Sequence, residues 1–177
     1  MSEYKYSGGG LIDKPIKFAD LIRSPTKFLA LGGGTGLAPF APGTFGTLPA
    51  LLLWIPMSAL HWQVYAVLVL VMAIAGFWIC QQASGELGKH DHGSIVWDEI
   101  VGYLVTVFAI PFSITAMLAG FVLFRIFDIF KPWPVSYFDK SVGGGAGIML
   151  DDILAGAISC IILHLAHWQF PALFAWG

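Results

Sequence analysis

Residues 48–80 read LPALLLWIPMSALHWQVYAVLVLVMAIAGFWIC, an apolar block without one Asp, Glu, Lys or Arg. A helix that crosses a bilayer needs about 20 apolar residues. The block is too long for one such helix and short for two. His61-Trp62-Gln63 divides it into 48–60 and 64–80, which reads as a helical hairpin turning at the tripeptide. The block at 100–124 is broken at Ile110-Pro111-Phe112-Ser113 and reads either as one Pro-kinked span or as a second hairpin of two short helices. A last block, 153–176, is broken at His167-Trp168-Gln169.

The polar segments between these blocks, 81–99 and 125–152, decide between the readings. Lys89 lies in the first, and Arg125, Lys131 and Lys140 in the second; the interruptions at 61–63 and 110–113 carry no Lys or Arg. Cytoplasmic loops of membrane proteins are enriched in these cations. Two hairpins place the N-terminus and both polar segments on the cytoplasmic side, whereas a single span at 100–124 separates the segments. Trp62 and Trp168 then fall at the opposite interface, where an aromatic belt is expected. Segments as short as 48–60 reach only about 20 Å as helices, so the far turns are expected within the bilayer or under a locally thinned one. The expected fold is all-α: an integral membrane bundle of short helices and helical hairpins, with its motif loops gathered on the cytoplasmic side.

Composition agrees. Of 177 residues, 57 % are hydrophobic and 11 % charged, against roughly 25 % charged in soluble proteins; mean hydropathy is +0.77. A net charge of −2 gives no general affinity for nucleic acid. Cys80 and Cys160 lie within apolar runs and read as packing residues. Residues 1–27 are polar, with five cations and no signal-peptide pattern; 11–27 reads as a short amphipathic helix on the membrane surface. Residues 28–47 read as a Gly/Pro/Thr loop.

The chemistry lies in the acids. Beyond the N-terminal arm, every Asp and Glu falls in the two later polar segments, and five abut apolar runs: Asp98, Glu99, Asp128, Asp151 and Asp152. Asp98-Glu99 and Asp151-Asp152 each read as an acid pair opening an apolar helix, where N-capping explains one acid well and two only partly. Gly102 follows Asp98, and Gly156 follows Asp152, by four residues. A Gly one turn along the same face lets another backbone approach closely, so these two helices can bring their acid pairs together. Arg125 and Asp128 share a helix face at i, i+3, either as a surface ion pair or as part of the same site. Clustered carboxylates beside an apolar medium repel unless neutralised. Mg²⁺, a hard cation with oxygen ligands, suits them, with Arg125 and Lys131 as partners for a substrate anion. In the stretch 38–47, Gly43, Thr44 and the backbone N–H groups form a candidate anion cradle ahead of a helix; the alternative is a plain loop ending in an N-cap at Thr47. His90-Asp91-His92 reads as a polar loop rather than a metal site, since i, i+2 residues do not share a helix face.

APGTFGT at 41–47, IVWDEIVG at 95–102, FRIFDIFKPWP at 124–134 and GGGAGIMLDDILAG at 143–156 occur in the order found in bacterial phosphatidylglycerophosphatase A. The chain resembles that family from about residue 25 to 170. The resemblance implies a Mg²⁺-dependent hydrolase of the bacterial inner membrane that converts phosphatidylglycerol phosphate to phosphatidylglycerol. Residues 28–177 would form the membrane-embedded phosphatase domain, with 1–27 a polar arm. The five acids would hold Mg²⁺ and orient or deprotonate water, and Gly43, Thr44, Arg125 and Lys131 would bind the phosphate. No protein partner is expected beyond membrane lipid. The alternative is a divalent-cation-binding or transporting protein, which requires acids at mid-membrane depth; here they flank the apolar blocks.

Overall fold

The structure is a computed structural model that describes residues 21–88 and 92–175. The described residues form α-helices α1 (Pro25–Ala30), α2 (Pro42–Met57), α3 (Trp62–Leu87), α4 (Trp97–Thr106), α5 (Ile114–Phe130), α6 (Val135–Ser141) and α7 (Gly144–Gln169), with 3-10 turns at Gly32–Leu37 and Pro171–Phe174. No strand occurs among them. Both hairpins are present. Chain reversal between α2 and α3 falls at 58–61 and reaches the first residue of the His-Trp-Gln tripeptide. That between α4 and α5 falls at 107–113, where the Ser113 hydroxyl caps α5 by accepting from the Ala116 N–H at 3.0 Å.

The helices run alternately up and down. α2, α4 and α7 start at one end of the bundle, and α3 and α5 finish there. This acid end holds the two long polar segments, and Trp62 and Trp168 are exposed at the far end. α3 and α7 have 26 residues each, long and apolar enough to cross a bilayer. At 1.5 Å per residue they reach about 39 Å, so these helices exceed the lengths set by the apolar runs and extend into the polar segments.

Side-chain placement identifies the solvent these helices require. α3 buries Tyr65, Val69, Ala73, Cys80 and Ala83 and exposes Val67, Leu70, Val71, Ile74 and Trp78. Only 28 % of its most apolar stretch is buried within the protein. A soluble core helix would hide such a surface; a bilayer is the solvent that suits it, as for a membrane protein. The two cysteines are free.

Two readings of the sequence change. The stretch 28–47 is not a loop: α1 and the 3-10 turn occupy its first part, and α2 begins at Pro42, whose fixed φ and missing N–H suit the first helical turn. Thr47 therefore caps nothing; it is buried inside α2, and its hydroxyl donates to the Gly43 carbonyl at 2.8 Å. α1 also crosses residue 27, the expected end of the polar arm. Lys27 there pairs with Glu86 of α3 at 3.0 Å. The expected amphipathic helix over 11–27 lies mostly outside the described residues.

Candidate active site

Packing of α4 against α7 sets the site. A Cβ on Gly156 would lie 2.3 Å from the Gly102 carbonyl oxygen, and one on Gly102 would lie 2.8 Å from the Asp152 carbonyl oxygen. Neither helix tolerates a side chain there, as the glycine spacing predicts. The contact sets Asp98 and Glu99, in the first turn of α4, beside the acid pair of α7. That second pair does not open its helix: α7 starts at Gly144, and Asp151 and Asp152 sit two turns inside. The glycine run 143–147 is helical from its second residue because packing on α3 requires it. Gln81 of α3 accepts a hydrogen bond from the Gly145 N–H at 2.7 Å, and a Cβ at Gly145 would meet the Phe77 carbonyl at 2.2 Å.

The five acids converge. Asp152 is 3 % exposed and feels the charges of Asp128, Asp98, Asp151 and Glu99. Arg125 and Lys131, predicted to hold a substrate anion, stand among these carboxylates. Arg125 Nη1 lies 2.5 Å from Asp128 Oδ2 and 3.5 Å from Glu99 Oε1. Lys131 Nζ lies 2.5 Å from both Asp139 Oδ1 and Asp151 Oδ2. Burial alone disfavours the Lys131 cation, but its hydrogen bonds and charge contacts with these two carboxylates outweigh that and raise its pKa above the ordinary lysine value. The ammonium is charged throughout the neutral range.

Five acids and two cations leave a formal charge of −3, and Asp139 makes it −4. Asp151 Oδ1 and Asp152 Oδ2 are buried without a hydrogen-bond partner. Buried carboxylate oxygens left in this way are acceptors that a hard cation or a proton satisfies. The donors are all oxygen, which suits Mg²⁺ rather than zinc. Among the described residues no three His, Cys, Asp or Glu side chains already close into a coordination shell.

Gly43 joins the cluster. A Cβ there would fall 2.1 Å from Glu99 Oε1 and 3.0 Å from both terminal nitrogens of Arg125, so only glycine lets the N-terminus of α2 reach the acids. Thr44 is half-buried one residue on. The anion cradle is thus a helix N-terminus and not a loop, and most of the site stands on helices rather than on motif loops; Lys131 alone occupies a helix boundary, as the left-handed C-cap of α5. Asp139 and Gln81 were not read from sequence. Asp139 sits on α6 with no motif around it, and Gln81 belongs to an apolar helix, so neither carried a signal. His90 and Asp91 lie outside the described residues; His92 accepts from the Ser94 N–H at 3.2 Å.

The comparisons with known proteins bear on this arrangement. The family model for phosphatidylglycerophosphatase A matches residues 28–167. The chain belongs to the phosphatidylglycerophosphatase A family. It is 47 % identical over 153 residues to phosphatidylglycerophosphatase A of Escherichia coli, covering 85 % of this chain and 89 % of that protein. It is 41 % identical over 160 residues to the protein of the same name from Haemophilus influenzae, covering 89 % and 98 %. It is also 39 % identical over 149 residues to a putative phosphatidylinositol-3-phosphatase of Bacteroides thetaiotaomicron, covering 79 % and 92 %. No solved structure matches it significantly. As a member of the phosphatidylglycerophosphatase A family the chain is a phosphatase, and the matched stretch contains every one of the five acids.

Proposed function

We propose that this chain is a multi-pass protein of the bacterial inner membrane that hydrolyses phosphatidylglycerol phosphate to phosphatidylglycerol and inorganic phosphate, with Mg²⁺ as cofactor and its site facing the cytoplasm. The observation that carries this is the convergence of Asp98, Glu99, Asp128, Asp151 and Asp152 with Arg125 and Lys131 at one end of an apolar bundle. Family membership supports the substrate. The cations in 81–99 and 125–152 support the orientation.

Asp98, Glu99, Asp128, Asp151 and Asp152 would hold the metal. When bound, Mg²⁺ neutralises phosphate charge and lowers the pKa of a coordinated water. The chain's own groups do the rest. Arg125 and Lys131 take the terminal phosphate in exchange for their carboxylate partners. Free N–H groups at the start of α2 and the Thr44 hydroxyl orient it further. A carboxylate of the cluster accepts the proton of the attacking water. The phosphorus–oxygen bond to the terminal glycerol carbon's oxygen breaks, and that oxygen leaves as the alcohol of phosphatidylglycerol, taking up the proton that the carboxylate received from water. Phosphoryl transfer of this kind needs positioning and charge stabilisation above all. Among the described residues every acid lies at the acid end, which argues against a cation path through the bundle.

The test is phosphate release from phosphatidylglycerol phosphate by detergent-purified protein, with Mg²⁺ or with EDTA. Release that stops with EDTA and returns with Mg²⁺ is expected. Folded protein that releases nothing in Mg²⁺ overturns the assignment. Phosphatidylinositol 3-phosphate belongs in the same assay, because one relative carries that name; comparable turnover of it would broaden the substrate class.

A further inference from the structure

The lipid-facing surface of α5 leads directly to the site. Leu118, Val122, Ile126 and Ile129 are exposed at helical spacing along one side of it. The stripe continues through Phe130, the last residue of α5, into Trp133 and Tyr137 beyond it, with Trp133 at 81 % the most exposed of the three. These three large aromatic side chains are mostly uncovered beside a charged cluster; of them Tyr137 also meets the Phe138 ring edge-to-face at 5.6 Å. Between them stands Lys131, whose ammonium touches Asp151. Arg125, one residue before Ile126, borders the same stripe and touches Asp128. An apolar track that runs along a membrane helix and ends beside two site cations matches, in order, a pair of acyl chains, a phosphodiester-linked glycerol headgroup and its terminal phosphate monoester.

We propose that the α5 stripe and the aromatic trio Phe130, Trp133 and Tyr137 form the surface through which phosphatidylglycerol phosphate passes sideways from the bilayer into the site. The occupant is membrane lipid. This rests on the lipid phosphatase reading above and deepens it by naming the surface that selects a lipid over a water-soluble phosphate ester. Aromatic side chains with a polar tip or flanking polar backbone suit the headgroup level of a membrane. Lys131 then meets the phosphate as the glycerol settles between Trp133 and Tyr137.

The experiment compares kcat/KM for dioleoyl phosphatidylglycerol phosphate in mixed micelles with that for its water-soluble dibutanoyl counterpart. It is run on the wild-type protein, on the double variant Trp133→Ser/Tyr137→Ser, and on Val67→Ser/Leu70→Ser, which changes an equal number of lipid-facing residues on α3. The long-chain to short-chain ratio should fall about tenfold in the first variant, carried by KM of the long-chain substrate, as expected for lost apolar contact. In the α3 variant it should stay at the wild-type ratio. Ile129→Ser, on the regular part of α5, gives the same reading, with a smaller fall, if the aromatic double variant is not recovered folded. An unchanged ratio in the α5 variants, or an equal fall in the α3 control, overturns the proposal. Wild-type protein inactive on both substrates would instead refute the phosphatase assignment on which it rests.

Discussion

α3 and α7 are the same length, 26 residues, with nearly the same apolar character, yet half of the most apolar stretch of α7 is buried against 28 % for α3. α3 lies at the edge and gives a broad face to lipid. α7 runs through the middle, touching α3, α4, α5 and α6, and carries the acids where its neighbours meet. Hydropathy reports how much a helix dislikes water; it does not report whether lipid or protein takes the place of water. What separates the two helices is glycine and aspartate. α7 has Gly145 and Gly156 pressed on the backbone of α3 and α4, whereas α3 meets only side chains at Gly76 and has nothing within 4 Å of the would-be Cβ of Gly85.

This contrast can be broken at several points. The largest effect is expected at Asp152, buried in the cluster. Asp152→Asn keeps its shape and removes one charge, and should lower kcat for phosphate release by about 100-fold or more, the scale for losing a metal-holding or charge-stabilising group. Activity within threefold of wild type in Mg²⁺ would remove Asp152 from the site. Next comes the helix crossing. Gly156→Val forces a side chain against the Gly102 carbonyl and should destabilise the fold in detergent by about 2 kcal/mol, read as a lower thermal midpoint. Its counterpart in α3, Gly85→Ala, should be neutral or stabilise by up to about 1 kcal/mol through helix propensity. Equal midpoints for the two variants would mean that α7 is no tighter than α3. The smallest effect is expected where the helices touch each other. Gln81→Ala strips the Gly145 N–H of its acceptor and should cost about 1 kcal/mol, with hydrogen exchange at the start of α7 faster than in wild type. Exchange unchanged there would show that Gln81 does not hold that terminus.

The hairpins were legible because a break in an apolar run is a local signal: His61-Trp62-Gln63 and Pro111 mark the turns. The approach of α4 and α7 was legible from Gly102 and Gly156, since a missing side chain one turn from an acid has few other uses. The start of α7 was not. Five residues from Gly143 to Gly147 include four glycines and read as a breaker; from Gly144 on they are helical, with Gly144 and Gly145 pressed against Gln81 and Phe77 of α3, a tertiary contact that overrides propensity. The start of α2 at Pro42 was hidden similarly within Gly/Pro/Thr composition. Ion pairs were half legible. The i, i+3 spacing gave Arg125 with Asp128, but Lys131 with Asp139 depends on how the chain turns at 131–134, where no periodicity operates.

The alternation of the bundle has a further electrostatic consequence. Five helices running alternately up and down cannot present as many starts as finishes on one side. The acid end receives the starts of α2, α4 and α7 and the finishes of only α3 and α5. Each helix start carries about half a positive elementary charge and each finish about half a negative one, from aligned peptide dipoles. The odd count therefore leaves one helix start uncompensated at that end. The backbone itself tilts this pole toward anions, easing the crowding of carboxylates at the first turn of α4 and favouring a phosphate before any side chain has turned to meet it.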